Sequence, residues 1–154
     1  AQVDARTAMD CVSLRFFNVF GPRQDPGGEY AAVIPAFIER MVNGRPPVIY
    51  GDGEQSRDFV YVGDVVEGLI RTAESSPAHS VLNLGCGRRI TINELVTRLN
   101  DVLGTELEPE YGPVREGEVR HSEADISRAR EVLEFDPDVD FVEGLKETAR
   151  FFQK

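Results

Sequence analysis

Three arginines at strand ends and in loops are the side chains whose type and position best suit chemistry. Arg57 follows a polar turn at the start of an extended run, Arg115 lies in the segment PVREGE at 113–118, and Arg23 follows a Gly-Pro pair. A guanidinium group presents a planar fork of N–H donors that matches phosphate oxygens, so these groups could converge on a diphosphate. Pairing of each arginine with a neighbouring acid is the simpler alternative, and the residues alone favour it.

Other signatures of catalysis or cofactor binding are weak. The segment GCGRRI at 85–90 lies between a predicted strand and a predicted helix, but it lacks the third glycine of a dinucleotide-binding loop. We therefore interpret it as an ordinary strand-to-helix turn. The histidines and cysteines do not have metal-ligand spacing, so we expect no metal site. Because the sequence also contains no nucleophile elbow, zinc-protease helix or P-loop, we predict no catalytic residue in this chain.

Composition and charge limit the classes of partner. The 154 residues correspond to one domain, and we treat 1–154 as a single unit. The 17 basic and 27 acidic residues give a net charge of −10, which disfavours binding to nucleic acid or anionic membranes. No apolar run approaches the roughly 18 residues of a membrane span. Two cysteines without a disulfide framework are typical of a reducing compartment, so we expect a cytoplasmic protein.

The predicted strands alternate with helices, which places the chain in the α/β class. β-branched and aromatic residues at 11–20 and a short apolar run at 81–85 predict two largely buried parallel strands. The segments 48–50 and 57–62 flank a Gly-rich turn and predict a hairpin. Two parallel strands are too few for the wide, covered sheet that such buried runs need, so we expect part of the sheet to be missing from this sequence.

Apolar spacing and capping residues predict the helices between these strands. Apolar residues recur at helical spacing over 34–42. Asp64 and Thr91 are each followed three residues later by a glutamate, the pattern of a capping box, so a helix is predicted to begin after each of them. Asp125 and the apolar repeat that starts at Phe141 predict the last two helices.

Five ordered segments carry a resemblance to a known family. They are LRFFNVFGPR at 14–23, GDGEQSRDFVYVGDV at 51–65, NLGCG at 83–87, REGE at 115–118 and ADISRA at 124–129. These segments resemble the C-terminal half of nucleotide-sugar epimerases and dehydratases of the extended short-chain dehydrogenase/reductase family, and most closely UDP-glucose and UDP-N-acetylglucosamine 4-epimerases. The resemblance implies a partial Rossmann-like sheet, made of late strands only, plus the small substrate-binding lobe. It also implies that the N-terminal NAD-binding half is absent.

The resemblance implies a site for a UDP-sugar or a related nucleotide-sugar. Arg57 and Arg115 would hold the diphosphate from two sides, which is the arrangement considered above. Asn18, just past the first strand, would hydrogen-bond the sugar nucleotide. Val48 and Tyr50 belong to a segment that would line the base pocket, largely through backbone groups.

Further residues are assigned to the ribose, the sugar and the cofactor by the same resemblance. Glu118 stands where the family usually has Asp and would hold the ribose. Val33 lies in a stretch where many relatives carry an Asn-Asn pair near the phosphates. Ser122 matches a position that limits the room around the sugar's C2 substituent, and a small residue there would admit a 2-acetamido sugar. Three residues would pass beside the nicotinamide end of the cofactor: Phe16, Phe17 and Val19.

The family's chemistry needs groups that these 154 residues do not supply. A Tyr-x-x-x-Lys pair acts with tightly held NAD, the tyrosine as acid and base while NAD takes and returns a hydride. None of the four tyrosines is followed by lysine at that spacing, and the glycine-rich loop is missing. We therefore expect NAD in the full-length family, none bound by this chain alone, and no turnover.

Several alternatives remain open at the level of function. The chain could be a stand-alone nucleotide-sugar-binding module or a non-functional truncated protein, and within the family it could derive from a dehydratase or reductase. Without companion strands, the strand 11–20 would expose unpaired backbone groups and an apolar flank. We therefore expect a homo-oligomer, or an association with a separate N-terminal NAD-binding chain.

Overall fold

The computed structural model describes residues 11–27, 32–75 and 80–153. The strands in these ranges are β1 (Ser13–Phe16), β2 (Asn18–Phe20), β3 (Val48–Tyr50), β4 (Ser56–Arg57), β5 (Phe59–Tyr61), β6 (Val81–Leu84), β7 (Ile90–Thr91) and β8 (Glu110–Gly112). The helices are α1 (Val33–Val42), α2 (Val62–Ser75), α3 (Ile92–Leu103), α4 (Ser127–Leu133) and α5 (Phe141–Phe152). This alternation of short strands and helices confirms the predicted α/β class.

The two predicted parallel strands pair with each other, but the first of them is divided, and its first part, β1, is mostly exposed and not buried as predicted. β1 runs parallel to β6, with Ser13 opposite Val81. The chain then bends at Phe17, whose N–H donates to the carbonyl of Leu84 at 3.0 Å. β2 begins at the next residue and pairs in parallel with β5. The bend therefore carries the chain from the β1–β6 sheet to a second pair of strands.

The hairpin predicted for 48–50 and 57–62 is wrong. β3 instead pairs in parallel with β8, while β4 pairs antiparallel with β7 and β5 pairs with β2. The side chain of Gln55 donates to the carbonyl of Tyr50 at 2.7 Å. This side-chain hydrogen bond satisfies a strand carbonyl that would otherwise need a backbone partner. The loop between β3 and β4 is closed by it, and the two strands pair with β8 and β7 instead of with each other.

One predicted helix cap is present and the other is not. Thr91 is the N-cap of α3 and its hydroxyl accepts the N–H of Glu94 at 3.1 Å. Asp64 lies inside the first turn of α2, which begins two residues earlier at Val62. Its buried carboxylate accepts the N–H of Asp138 at 3.4 Å. Asp64 therefore ties α2 to the loop between α4 and α5 instead of capping its own helix.

Two apolar clusters hold the elements together. The larger one packs α1, α3 and α5 against β2 and β5, with an aromatic group of Phe20, Phe59 and Phe141 at its centre. The smaller one joins β6 to α2 and α4. In the described ranges, none of the helices combines the length and apolarity needed to cross a bilayer. The larger cluster therefore fixes β2 and β5 against the helices.

Gly53 allows the loop between β3 and β4 to pack closely against Asn93 of α3. Its φ is +78°, and a β-carbon built there would lie 1.9 Å from Oδ1 of Asn93. The Asn93 side chain is itself held by donation to the carbonyl of Asp52 at 3.0 Å. We expect Gly53→Ala to lower the free energy of unfolding by about 2–3 kcal/mol, because left-handed backbone alone costs an L-residue about 1–2 kcal/mol and the clash adds to this. Urea unfolding measures the loss.

Gly104 provides the matched control for this prediction. It follows the end of α3 with a φ of +66°, and a β-carbon added there would have no atom within 4 Å. Gly104→Ala is expected to lose only about 1 kcal/mol, the cost of the backbone conformation. Equal losses for the two variants would show that the contact with Asn93 is unimportant.

Candidate functional site

A cleft of about 240 Å³ opens where β2, β3, β4, α1 and the loop after β8 converge. Its walls are formed by Asn18, Ala32, Val33, Phe37, Val48, Ile49, Tyr50, Gln55, Arg57, Ile92, Arg115 and Glu118. Every residue that the sequence assigned to substrate binding, apart from Ser122, lies on these walls. Segments that are far apart in the sequence are therefore brought to one concave surface.

Arg57 and Glu118 form an ion pair at the edge of the cleft. Nη2 of Arg57 donates to Oε1 of Glu118 at 2.8 Å, and the two side chains are 16% and 25% exposed. Nη1 of Arg57 also donates to the carbonyl of Ser56 at 2.9 Å. The backbone N–H of Ser56 bonds to the carbonyl of Arg120 at 2.9 Å, so the loop carrying Glu118 is attached to β4. Arg57 therefore pairs with Glu118, which is distant in the sequence, and not with the adjacent Asp58.

Arg115 reaches the cleft from the loop after β8 and stacks on Tyr50. Its guanidinium carbon lies 3.9 Å from the centroid of the Tyr50 ring. A guanidinium group that stacks through its face keeps the N–H groups on its edge for an anion. Arg57 and Arg115 therefore border the same cleft.

Asp58 organises the base of the site and was missed by sequence reasoning. Its carbonyl accepts both the backbone N–H of Asn18 at 3.0 Å and the side-chain Nδ2 at 2.9 Å, which leaves the Asn18 amide oxygen for a ligand. The carboxylate is fully buried and accepts the N–H groups of Cys86, Gly87 and Ala124 at 2.8 to 3.0 Å. An acidic residue at the edge of the apolar run 59–62 was the only signal in the sequence.

The remaining predicted site residues lie away from the main cleft. Ser122 is half-buried and its N–H donates to the carbonyl of Ser56 at 3.1 Å. Phe16 is 50% exposed at the end of β1. Phe17 is at the bend, and Val19 lines a neighbouring cavity of about 340 Å³ together with Gln24. Among the described residues, no group of three or more His, Cys, Asp or Glu side chains is placed to hold a metal ion.

Cys86 is a shielded thiol in the turn after β6. Its Sγ donates to the carbonyl of Phe59 at 3.2 Å. Burial, assisted by the nearby Asp58 carboxylate, raises the pKa of the Cys86 thiol to about 11 from an ordinary value of 9.0. The protonated thiol therefore stabilises the fold below pH 9, and this contribution is lost as the pH rises through 11.

We expect iodoacetamide to modify Cys86 of the folded chain about a hundredfold more slowly at pH 8 than Cys86 of the unfolded chain, because only the thiolate reacts. Mass spectrometry of the peptide that contains Cys86 measures both rates. The folded rate should keep rising above pH 9, where the unfolded rate levels off. Similar rates for the two states at pH 8 would contradict the shielding.

The chain is similar to known proteins both in sequence and in fold. The model of the NAD dependent epimerase/dehydratase family matches residues 1–85. UDP-glucose 4-epimerase of Mycolicibacterium smegmatis is 41% identical over 145 residues, which are 94% of this chain and 46% of that protein. A putative UDP-glucose 4-epimerase of Methanocaldococcus jannaschii is 40% identical over 91% of this chain and 45% of its own length. The chain thus spans about half the length of the curated relatives it matches.

Solved structures of this group share the fold. UDP-N-acetylglucosamine 4-epimerase from Methanobrevibacter ruminantium, in complex with UDP-N-acetylmuramic acid, superposes with a TM-score of 0.93 at 47% identity, covering 98% of this chain and 48% of that one. UDP-glucose 4-epimerase from Thermotoga maritima, with UDP-glucose, gives 0.92 at 43% identity over 97% and 48%. These likenesses confirm the predicted Rossmann-like class. The chain belongs to the NAD dependent epimerase/dehydratase family.

Proposed function

We propose that this chain is the nucleotide-sugar-binding portion of an NAD-dependent sugar-nucleotide 4-epimerase. The observation that carries the proposal is the convergence of Arg57 and Arg115 on one cleft. Two guanidinium groups facing one space suit the two phosphates of a diphosphate linkage. The solved relatives with UDP-glucose or UDP-N-acetylmuramic acid support this class of ligand.

The nucleotide is proposed to lie along the wall formed by β3 and β4. The base would contact Val48 and Tyr50, and the diphosphate would lie between Arg57 and Arg115. In the structure Glu118 already pairs with Arg57. A bound diphosphate would take over the Arg57 donors, and the Glu118 carboxylate would then accept hydrogen bonds from the ribose hydroxyl groups.

The sugar is proposed to extend past Asn18 toward the neighbouring cavity, which shares Asn18 and Val33 with the main cleft. The backbone N–H and the side-chain Nδ2 of Asn18 both donate to Asp58. The amide oxygen of Asn18 would therefore accept a hydroxyl of the ligand, and Val33 would supply an apolar contact. Ser122, which is anchored to the Ser56 carbonyl, remains our candidate for control of the C2 substituent.

NAD would be bound mainly by residues outside this sequence. An exposed apolar side chain, Phe16, ends the parallel strand β1, and ligands of open α/β sheets bind at the carboxyl ends of their strands. This surface fits the nicotinamide end of the cofactor, with Phe17 and Val19 further along the same segment. NAD supplies hydride transfer when bound. Because these residues include no Tyr-x-x-x-Lys pair, we propose that the chain alone does not turn over.

The free edge of β1 is proposed to recruit a second polypeptide. Among the described strands β1 pairs only with β6, and Phe16 and Val81 are both exposed. An unpaired, apolar strand edge is a template for further pairing. We expect a homo-oligomer or an N-terminal NAD-binding chain to cover it, in a reducing compartment such as the cytoplasm. A monomer in light scattering, with residues 13–16 protected from hydrogen exchange, would contradict this association.

Calorimetry with UDP, UDP-glucose and UDP-N-acetylglucosamine tests the proposed function. We expect all three to bind the 154-residue chain and the signal to weaken with salt, as an electrostatic clamp requires. In parallel, incubation with NAD and UDP-glucose is expected to give no product. If none of the nucleotides binds, a non-functional protein is favoured. If product forms at enzymatic rates, the proposal that the chain alone does not turn over is wrong.

A further inference from the structure

We propose that Gln55 selects the base in this cleft, and that its amide oxygen accepts the ring N3–H of a uracil or thymine. The inference rests on the proposed function, which places the base against Val48 and Tyr50. It adds a side-chain contact to a pocket otherwise formed by apolar groups and backbone, and it restricts the ligand to nucleotides whose base presents an N–H donor at this position.

The observation behind the proposal is a buried acceptor without a partner. Gln55 is 6% exposed. Its Nε2 donates to the carbonyl of Tyr50 at 2.7 Å, whereas Oε1 has no hydrogen-bond partner among the described residues. Rotating the amide by half a turn would place Oε1 against the Tyr50 carbonyl, so the orientation is determined by the contact. Buried polar atoms without partners are rare in native proteins, and each one calls for an explanation.

The amide is also held in place at the cleft wall. Gln55 lines the cleft beside Tyr50, and its own carbonyl accepts the N–H of Ile92 at 3.1 Å. Gly51 packs beside the amide, since a β-carbon built there would lie 3.9 Å from Oε1, an ordinary van der Waals separation. The acceptor is thus preorganised, which reduces the entropy lost when a ligand binds.

The chemistry of the bases determines what this oxygen can recognise. Uracil and thymine carry an N–H donor at ring position 3, whereas cytosine carries a lone pair there. A fixed, buried acceptor forms a hydrogen bond with the N3–H of uracil or thymine and repels the N3 lone pair of cytosine. A site built to bond a polar group discriminates strongly against an analogue that leaves the site unpaired. We therefore expect UDP to be preferred over CDP.

The test compares UDP and CDP by calorimetry in three forms of the 154-residue chain. The unmodified chain is expected to bind UDP at least about tenfold more tightly than CDP. Gln55→Met removes the oxygen from a side chain of similar length, so the preference should fall to about twofold or less. Gln153→Met is the control, since Gln153 is an exposed glutamine at the end of α5 and does not line either cavity. This control should keep the full preference.

A second measurement uses the unmodified chain, so its result does not depend on whether the Gln55→Met variant folds. With UDP labelled with ¹⁵N at position 3, the imino proton of the bound base should exchange slowly with water. It should also show a nuclear Overhauser contact to the side chain of Gln55. Absence of that contact in the bound complex would overturn the proposal whatever the variants show.

The outcomes separate this inference from the proposed function. Equal and measurable binding of UDP and CDP would overturn the role of Gln55 and leave a nucleotide-diphosphate site in place. An unchanged preference in Gln55→Met would assign base selection to another group. If neither nucleotide binds the folded chain, the proposed function fails, and the inference that depends on it fails as well.

Discussion

Arg57→Ala is expected to weaken the binding of UDP by about a hundredfold or more, because the change removes one half of a partly buried, charge-assisted contact. The Arg57 side chain is only 16% exposed, so its charge is poorly screened by water. The substitution also leaves the carboxylate of Glu118 unpaired beside the bound diphosphate. Like charges then repel, which adds to the loss. Calorimetry with UDP at low and moderate salt measures the effect.

Three further variants show whether the loss comes from this contact. Arg57→Lys keeps the charge but not the planar fork, and we expect about a tenfold loss. Glu118→Gln in the Arg57→Ala background removes the unpaired carboxylate and should recover part of the affinity. Arg120→Ala is the matched control, since Arg120 pairs with Asp52 at 2.8 Å outside the cleft and both side chains are 55% exposed. If Arg120→Ala loses as much affinity for UDP, the effect of Arg57→Ala comes from the change in net charge and not from a specific contact.

Asp58→Ala is expected to lower the free energy of unfolding by about 3–5 kcal/mol, because breaking a buried charged network leaves its donors unpaired. The Asp58 carboxylate accepts three backbone N–H groups, those of Cys86, Gly87 and Ala124. Asp58 has no exposed surface, so water cannot take the place of the carboxylate unless the structure opens locally. Urea unfolding followed by circular dichroism measures the change.

Asp140→Ala provides the matched control for this second prediction. Asp140 is the N-cap of α5 and also accepts two backbone N–H groups, those of Val142 and Glu143 at 2.9 and 3.2 Å, but it is exposed. We expect a loss of about 1 kcal/mol, as for other exposed N-caps. Asp58→Asn should lie between the two, since it keeps one acceptor oxygen. Losses of similar size for Asp58→Ala and Asp140→Ala would contradict the network.

Several elements could be predicted from the sequence because their causes are local. The Thr91 cap follows from a hydroxyl and a glutamate three residues apart, and the structure confirms the hydroxyl's hydrogen bond to the Glu94 N–H. The parallel pairing of β1 with β6 follows from two apolar runs of strand length separated by helical segments. The hairpin prediction failed because strand partners are chosen by tertiary packing, and there the side chain of Gln55 closes the loop after β3.

The amino-acid sequence by itself determined the class of fold, the family resemblance and the two arginines suited to a diphosphate. Residue types, motif order and short-range spacing are sufficient for these conclusions. Only the tertiary structure decided that Arg57 pairs with Glu118, that Arg115 stacks on Tyr50, and that Asp58 supports Asn18. These contacts join residues that are distant in the sequence, and such partners are selected by burial and close packing of the whole chain, which no local pattern encodes.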